Sequence, residues 1–201
     1  MFISDLLKDK NKFEELLLNI IVKYGRKYKK IDELIKFSNK VSTVYSYIIN
    51  VSKKPFPEKE WLIAQDEVYS YHYAKNILKG RFEKGEEVIS KSAEYSFKYA
   101  KDVIRGKFEK GEEIISKNGY YAFHYTKDVI KGRWEKGEDT ISKSSVYSYY
   151  YARDVLKDRF KKGEGAIIKD KTNLKKYISF LKSIKKLNEF LKDYPEIKIK
   201  I

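Results

Sequence analysis

The chain has 201 residues, with 44 Lys or Arg against 29 Asp or Glu, a net charge of +15, two histidines and no cysteine. That length supports one or two domains with a sizeable core, 42% apolar residues are too many for a wholly disordered chain, and no apolar run reaches the ~20 residues of a membrane span. Disulfides, thiolate catalysis, zinc–thiolate sites and a three-histidine metal site are excluded.

The opening segment, MFISDLLKDK, has neither the early positive charge nor the apolar stretch of a signal peptide, so a cytoplasmic protein is expected. Phe13, Leu16, Leu17, Ile20 and Tyr24 then follow helical spacing up to Gly25, and Ile31 to Phe37 predicts a further short helix. Residues 1–43 read as an N-terminal helical cap.

A repeat dominates the middle of the chain. The segment around Tyr69 recurs at Tyr95, Tyr121 and Tyr147 with a strict period of 26 residues. A weaker copy, beginning VYSY at Val44, precedes these and reads as two residues short in its middle, although Phe56, Glu60 and Ile63 stand 26 residues before Phe82, Glu86 and Ile89. Asp66, Ser92, Asn118, Ser144 and Asp170 share one repeat position, and all are N-cap types that accept the orphan amides of a helix start. Each copy therefore predicts a first helix of about 13 residues, closed by a left-handed residue at Gly80, Gly106, Gly132 or Asp158. A shorter second helix then begins after Phe82, Phe108, Trp134 or Phe160. Projected at 100° per residue, Tyr69, Ser70, Tyr71, Tyr73, Ala74, Ile77 and Leu78 cover an arc of about 200°. A helix buried so broadly must touch its partner and both neighbouring hairpins, which predicts an all-α fold, an α-solenoid of stacked two-helix repeats over residues 44–170. Gly85, Gly111, Gly137 and Gly163 lie inside the second helices and read as points of close helix approach.

The pattern YA-x-x-(V/I)-(I/L)-x-G-(R/K)-(F/W)-x-x-G-E, from Tyr73 to Glu86 and in the later copies, resembles a family of short two-helix repeats found in uncharacterised phage and bacterial proteins. The resemblance implies a phage-type product that binds host or defence machinery. After the repeats, Leu174, Tyr177, Ile178, Leu181, Ile184, Leu187 and Leu191 predict one long capping helix within residues 171–201, and the final EIKIKI alternates like a strand.

Nearly every polar residue of the repeats occurs in several equivalent copies, whereas catalysis needs a unique constellation. Glu60, Glu86, Glu112, Glu138 and Glu164 share one position and read as carboxylates hydrogen-bonded near a helix start, not as acids or bases of a reaction. His72 and His124 lie two repeats apart, too far to share a metal, and no phosphate-binding glycine loop is present. No enzyme activity, cofactor or metal is expected.

Surface recognition remains. Lys75, Lys79, Lys101, Arg105, Lys127, Lys131, Arg153 and Lys157 fall on the exposed arc of the first helices, bordered by Tyr69, Tyr95, Tyr121 and Tyr147. Arg81, Lys107, Arg133 and Arg159 add a cation at each inter-helix turn. The leading expectation is a non-catalytic repeat protein that binds a macromolecular partner, an acidic protein or nucleoprotein, in its most concrete form as a phage-encoded inhibitor of a host defence complex, CRISPR-type or another nucleoprotein. One alternative is direct RNA or DNA binding along the Lys/Arg/Tyr face, and another is a small anionic nucleotide held between repeats. Against these stands a merely solvated face, with Asp102, Asp128 and Asp154 placed to pair with Arg105, Lys131 and Lys157 three residues on.

Overall fold

The computed structural model describes residues 8–28 and 30–197. All regular structure among the described residues is helical. Residues 198–201, where strand-like alternation is expected, lie outside them. The chain divides into two compact units, residues 1–104 and 105–201.

In the first unit, α1 (Lys10–Lys23) buries Phe13, Leu17 and Ile21, and α2 (Ile31–Leu34) continues as a 3-10 turn to Phe37. Next come α3 (Val41–Tyr47), α4 (Glu60–Ile63), α5 (Glu67–Tyr73), α6 (Glu83–Ile89) and α7 (Ala93–Tyr99). The second unit holds α8 (Glu109–Ser116), α9 (Gly119–Tyr125), α10 (Glu135–Ile141), α11 (Ser145–Tyr150), α12 (Lys161–Ile168), α13 (Lys171–Ser183) and α14 (Leu187–Asp193). Each expected cap forms: Asp66, Ser92, Asn118, Ser144 and Asp170 all accept a backbone N–H from the first turn of their helix.

Within each unit, hairpins pack on their neighbours in sequence. In the first unit α5 contacts α3, α6 and α7, and in the second α10 contacts α8, α9 and α12. The tightest approach inside a hairpin is at the second-helix glycines. A Cβ on Gly85 would sit 2.7 Å from Ser70 Oγ, and one on Gly137 would sit 2.6 Å from the Trp134 ring. Ser70, Ser96 and Ser148 are fully buried there, each hydroxyl donating to the carbonyl of Ile63, Ile89 or Ile141 at 2.9–3.1 Å.

Three expectations are corrected. The early copy is not short: α3 lies 26 residues before α5, and Tyr47 meets Phe56 at 5.7 Å as Tyr73 meets Phe82 at 5.1 Å. The string VYSY at Val44 is thus equivalent to SYHY at Ser70, and its likeness to VYSY at Val68 is coincidental. The long capping helix is two, because Lys185 turns left-handed at φ 61° and Lys186 N donates back to Leu181 O at 2.9 Å. This break folds α14 back so that Phe190 packs on Tyr177 at 5.6 Å.

The third concerns how the first helices end. Each widens into a π-helical segment, residues 74–78 after α5 and 126–130 after α9, and the left-handed residue comes one position before the expected glycine or aspartate. Lys53, Lys79, Arg105, Lys131 and Lys157 hold φ between 53° and 58°. Ala74 O receives both the Lys79 and the Gly80 N–H, so the extra width of the π turn moves the reversal back by one residue. A non-glycine residue there costs about 1–2 kcal/mol. A cation beside a helix C-terminus regains about 0.3–1 kcal/mol, which offsets only part of that.

Candidate binding surface

The most regular chemistry lies between successive copies. Tyr73, Tyr99, Tyr125, Tyr151 and Tyr177 are fully buried. Each hydroxyl accepts the backbone N–H of the aromatic residue that opens the preceding second helix: Phe56 at 3.0 Å, Phe82 at 2.7 Å, Phe108 at 3.0 Å, Trp134 at 3.2 Å and Phe160 at 3.2 Å. The same hydroxyls donate to Glu60, Glu86, Glu112, Glu138 and Glu164 at 2.8–3.3 Å. Burial, reinforced by the nearby carboxylate, pushes all five phenols up in pKa, Tyr99 and Tyr151 to about 12.

Arginine completes this arrangement. The guanidiniums of Arg81, Arg133 and Arg159 each donate to the glutamate five residues on at 2.8 Å, and those glutamates are buried. Lys107 stands at the same position and makes no ion pair among the described residues, and Glu112 is only half-buried. Lysine lacks the planar fork that reaches around the turn. In the early copy the position is Pro55, and Glu60 is held instead by Lys84 at 2.9 Å. The glutamates are therefore bound internally by tyrosine and, in three copies, by arginine.

The sixteen expected site residues consequently separate into groups. Arg81, Arg133 and Arg159 belong to the glutamate ladder, and Arg159 also reaches Asp193 at 2.7 Å with its side chain only 4% exposed. Lys75 bridges to Asp102 of the following copy at 2.7 Å, Lys127 bridges to Asp154 at 3.5 Å, and Arg153 pairs with Asp154 at 2.5 Å. The expected local pairs of Asp102 and Asp154 with Arg105 and Lys157 do not form; Asp102 pairs instead with Lys75, and Asp154 with Lys127 and Arg153. Lys101 lies over the Phe97 ring at 5.5 Å. Tyr69, Tyr95 and Tyr147 are half-buried against a ring of the preceding copy, Tyr45 at 5.2 Å, Tyr71 at 5.7 Å and Phe123 at 6.0 Å, while Tyr121 meets Tyr120 at 5.0 Å. Tyr69, Tyr95 and Tyr147 thus join successive hairpins.

Lys79, Arg105, Lys107, Lys131 and Lys157 remain, exposed and without a carboxylate partner among the described residues. In the second unit a cavity of about 490 Å³ is lined by the cations Arg133, Arg159, Lys161, Lys162 and Lys186 together with the carboxylates Glu138, Asp158 and Glu189. Lys162 is paired with Asp139, and Lys186 with Glu189. His72 and His124 are half-buried beside Tyr71 and Tyr120, and burial lowers the His72 pKa. No group of three or more His, Asp or Glu side chains among the described residues could hold a metal ion.

Sequence reasoning missed the buried tyrosine hydroxyls. Their signal is present, since Tyr, Glu and the opening aromatic recur together at spacings of 13 and 17 residues. Periodicity reports burial of a tyrosine ring but says nothing of where its hydroxyl ends. No family model, curated protein or solved structure matches the chain.

Proposed function

We propose that this is a non-catalytic helical repeat protein that binds an acidic macromolecular partner, an acidic protein surface or a nucleoprotein. The supporting observation is how the charge is distributed. The repeated glutamates and two of the helix aspartates are occupied by tyrosine, arginine or lysine of the hairpins, whereas Lys79, Arg105, Lys107, Lys131 and Lys157 face solvent with no counter-charge among the described residues, in a chain of net charge +15. Within the second unit, Arg105, Lys131 and Lys157 recur at one repeat position, and such uncompensated cations steer and orient an acidic partner. The family resemblance makes a host defence nucleoprotein the first partner class to examine.

The test is capture from a bacterial extract on immobilised protein at about 50 mM and at about 300 mM salt, with and without nuclease. Acidic proteins or nucleoproteins retained at low salt and released at high salt support the reading. Retention of nothing salt-sensitive overturns it.

A further inference from the structure

The turns of the second unit carry features that the fold does not require. Arg105, Lys131 and Lys157 are all in the left-handed conformation, and every non-glycine residue with positive φ among the described residues is Lys or Arg. The residue best suited to that conformation, glycine, stands one position later at Gly106 and Gly132. Gly132 needs no positive φ, and a Cβ there would meet nothing within 4 Å, so neither conformation nor packing explains it. Its effect is a bare stretch of backbone between Lys131 and Arg133, open to close approach from outside. In the fourth copy the equivalent residue is Asp158, whose carboxylate accepts the Arg159 N–H at 2.7 Å.

The turns also succeed one another in space. The π-helical segments 126–130 and 151–156, which lead into Lys131 and Lys157, contact each other, and α10 lies between α8 and α12. Packed helix layers are about 10 Å apart. The unpaired cations thus recur at the spacing of the hairpins. A ligand that meets all three must itself repeat its negative charge along its length.

We propose that a phosphodiester chain lies across the turns of residues 105–107, 131–133 and 157–159, its phosphates held by Arg105, Lys131 and Lys157. This rests on the reading of an acidic macromolecular partner and names its chemistry as nucleic acid. The backbone bared at Gly132 lets a phosphate come close beside Lys131. Lys127 and Arg153 take no part, because both are already engaged by Asp154, Arg153 through two hydrogen bonds.

The test is fluorescence anisotropy with labelled 30-nucleotide RNA and DNA, single- and double-stranded, and with labelled polyglutamate, from about 50 to 200 mM salt. The variant Arg105→Gly/Lys131→Gly/Lys157→Gly is expected to bind nucleic acid at least about tenfold more weakly, with a salt slope smaller by about 2 for single strands. Its Tm is expected to rise by several degrees, about 2–4 °C for each strained residue relieved. The triple glutamine variant, which keeps side-chain bulk, is expected to show the same loss of binding, and Lys127→Gln/Arg153→Gln to bind within about threefold of wild type. Whichever of RNA and DNA binds more tightly identifies the source of the phosphodiester. Equal binding by wild type and both triple variants overturns the assignment to the turns and leaves the acidic-partner reading standing. Wild type that binds polyglutamate but no nucleic acid overturns the phosphodiester, and wild type that binds none of these polyanions overturns both.

Discussion

Tyr151→Phe removes one oxygen atom from the interior and leaves the ring in place. That oxygen accepts the Trp134 N–H at 3.2 Å and donates to Glu138 at 3.1 Å, and Tyr151 is fully buried. Without it the Trp134 amide has no acceptor, a loss of about 1–3 kcal/mol for a buried donor, and the donation to Glu138 contributes about 1 kcal/mol more. Packing is unchanged because phenylalanine fills the same space, so the total is about 2–4 kcal/mol. A chain of this length loses about 2–4 °C of Tm per kcal/mol, which places the shift at roughly 4–16 °C in a thermal melt followed by circular dichroism. Tyr147→Phe is the control, since Tyr147 is half-buried and its hydroxyl has no hydrogen-bond partner among the described residues. A melting temperature for Tyr151→Phe as close to wild type as that of Tyr147→Phe would refute the idea that these hydroxyls hold successive copies together.

The remaining predictions concern pH, the glycines and the ladder. The phenols of Tyr99 and Tyr151 ordinarily titrate at 10.0 and are pushed up to about 12 in the fold, so the stability they contribute is complete below pH 10 and declines as pH rises through about 12. Urea midpoints measured from pH 8 to pH 12 should fall over that interval, and a flat profile would contradict the burial of these groups. Gly137→Ala should destabilise by about 1–2 kcal/mol, because the new methyl group collides with the Trp134 ring. Gly132→Ala, with open space around it, should cost nothing in the same denaturation assay. Lys107→Arg should supply the missing fork to Glu112 and raise stability by up to about 1 kcal/mol; a lower Tm would show that the position does not accommodate it.

Much of this architecture is legible from residue spacing alone. Asp66, Ser92, Asn118, Ser144 and Asp170 declare helix starts because capping is local chemistry between a side chain and amides two or three residues away. Gly85 and Gly137 declare close contact because glycine in a helix needs a compensating reason. The π-helical ends are not legible, since the same residues satisfy an α-helical pattern until the carbonyl of Ala74 takes two amides and Lys79 turns left-handed. The cations are hard to sort for the same cause. Lys75 and Lys79 both fall on the exposed arc of an ideal helix, but Lys75 lies where Asp102 of the next copy can reach it, and Lys79 lies past the point where the helix has ended. Pairing across copies depends on tertiary approach, which a helical projection does not contain.

The tyrosine contacts also give the array a direction. None of the second helices α6, α8, α10 and α12 has a side-chain cap of its own; the amide at its start is satisfied by a hydroxyl from the next copy along the chain, down to Phe160, which relies on Tyr177 of α13. Each repeat is thus finished by its successor. On a growing chain, a hairpin emerges one element before it can be completed, and the segment containing Tyr177 serves as the terminator that lets the last full repeat close. Shortening the protein from its C-terminal end to a copy boundary therefore always leaves an unfinished hairpin exposed, whereas removing copies from the N-terminal end leaves every remaining second helix with its partner.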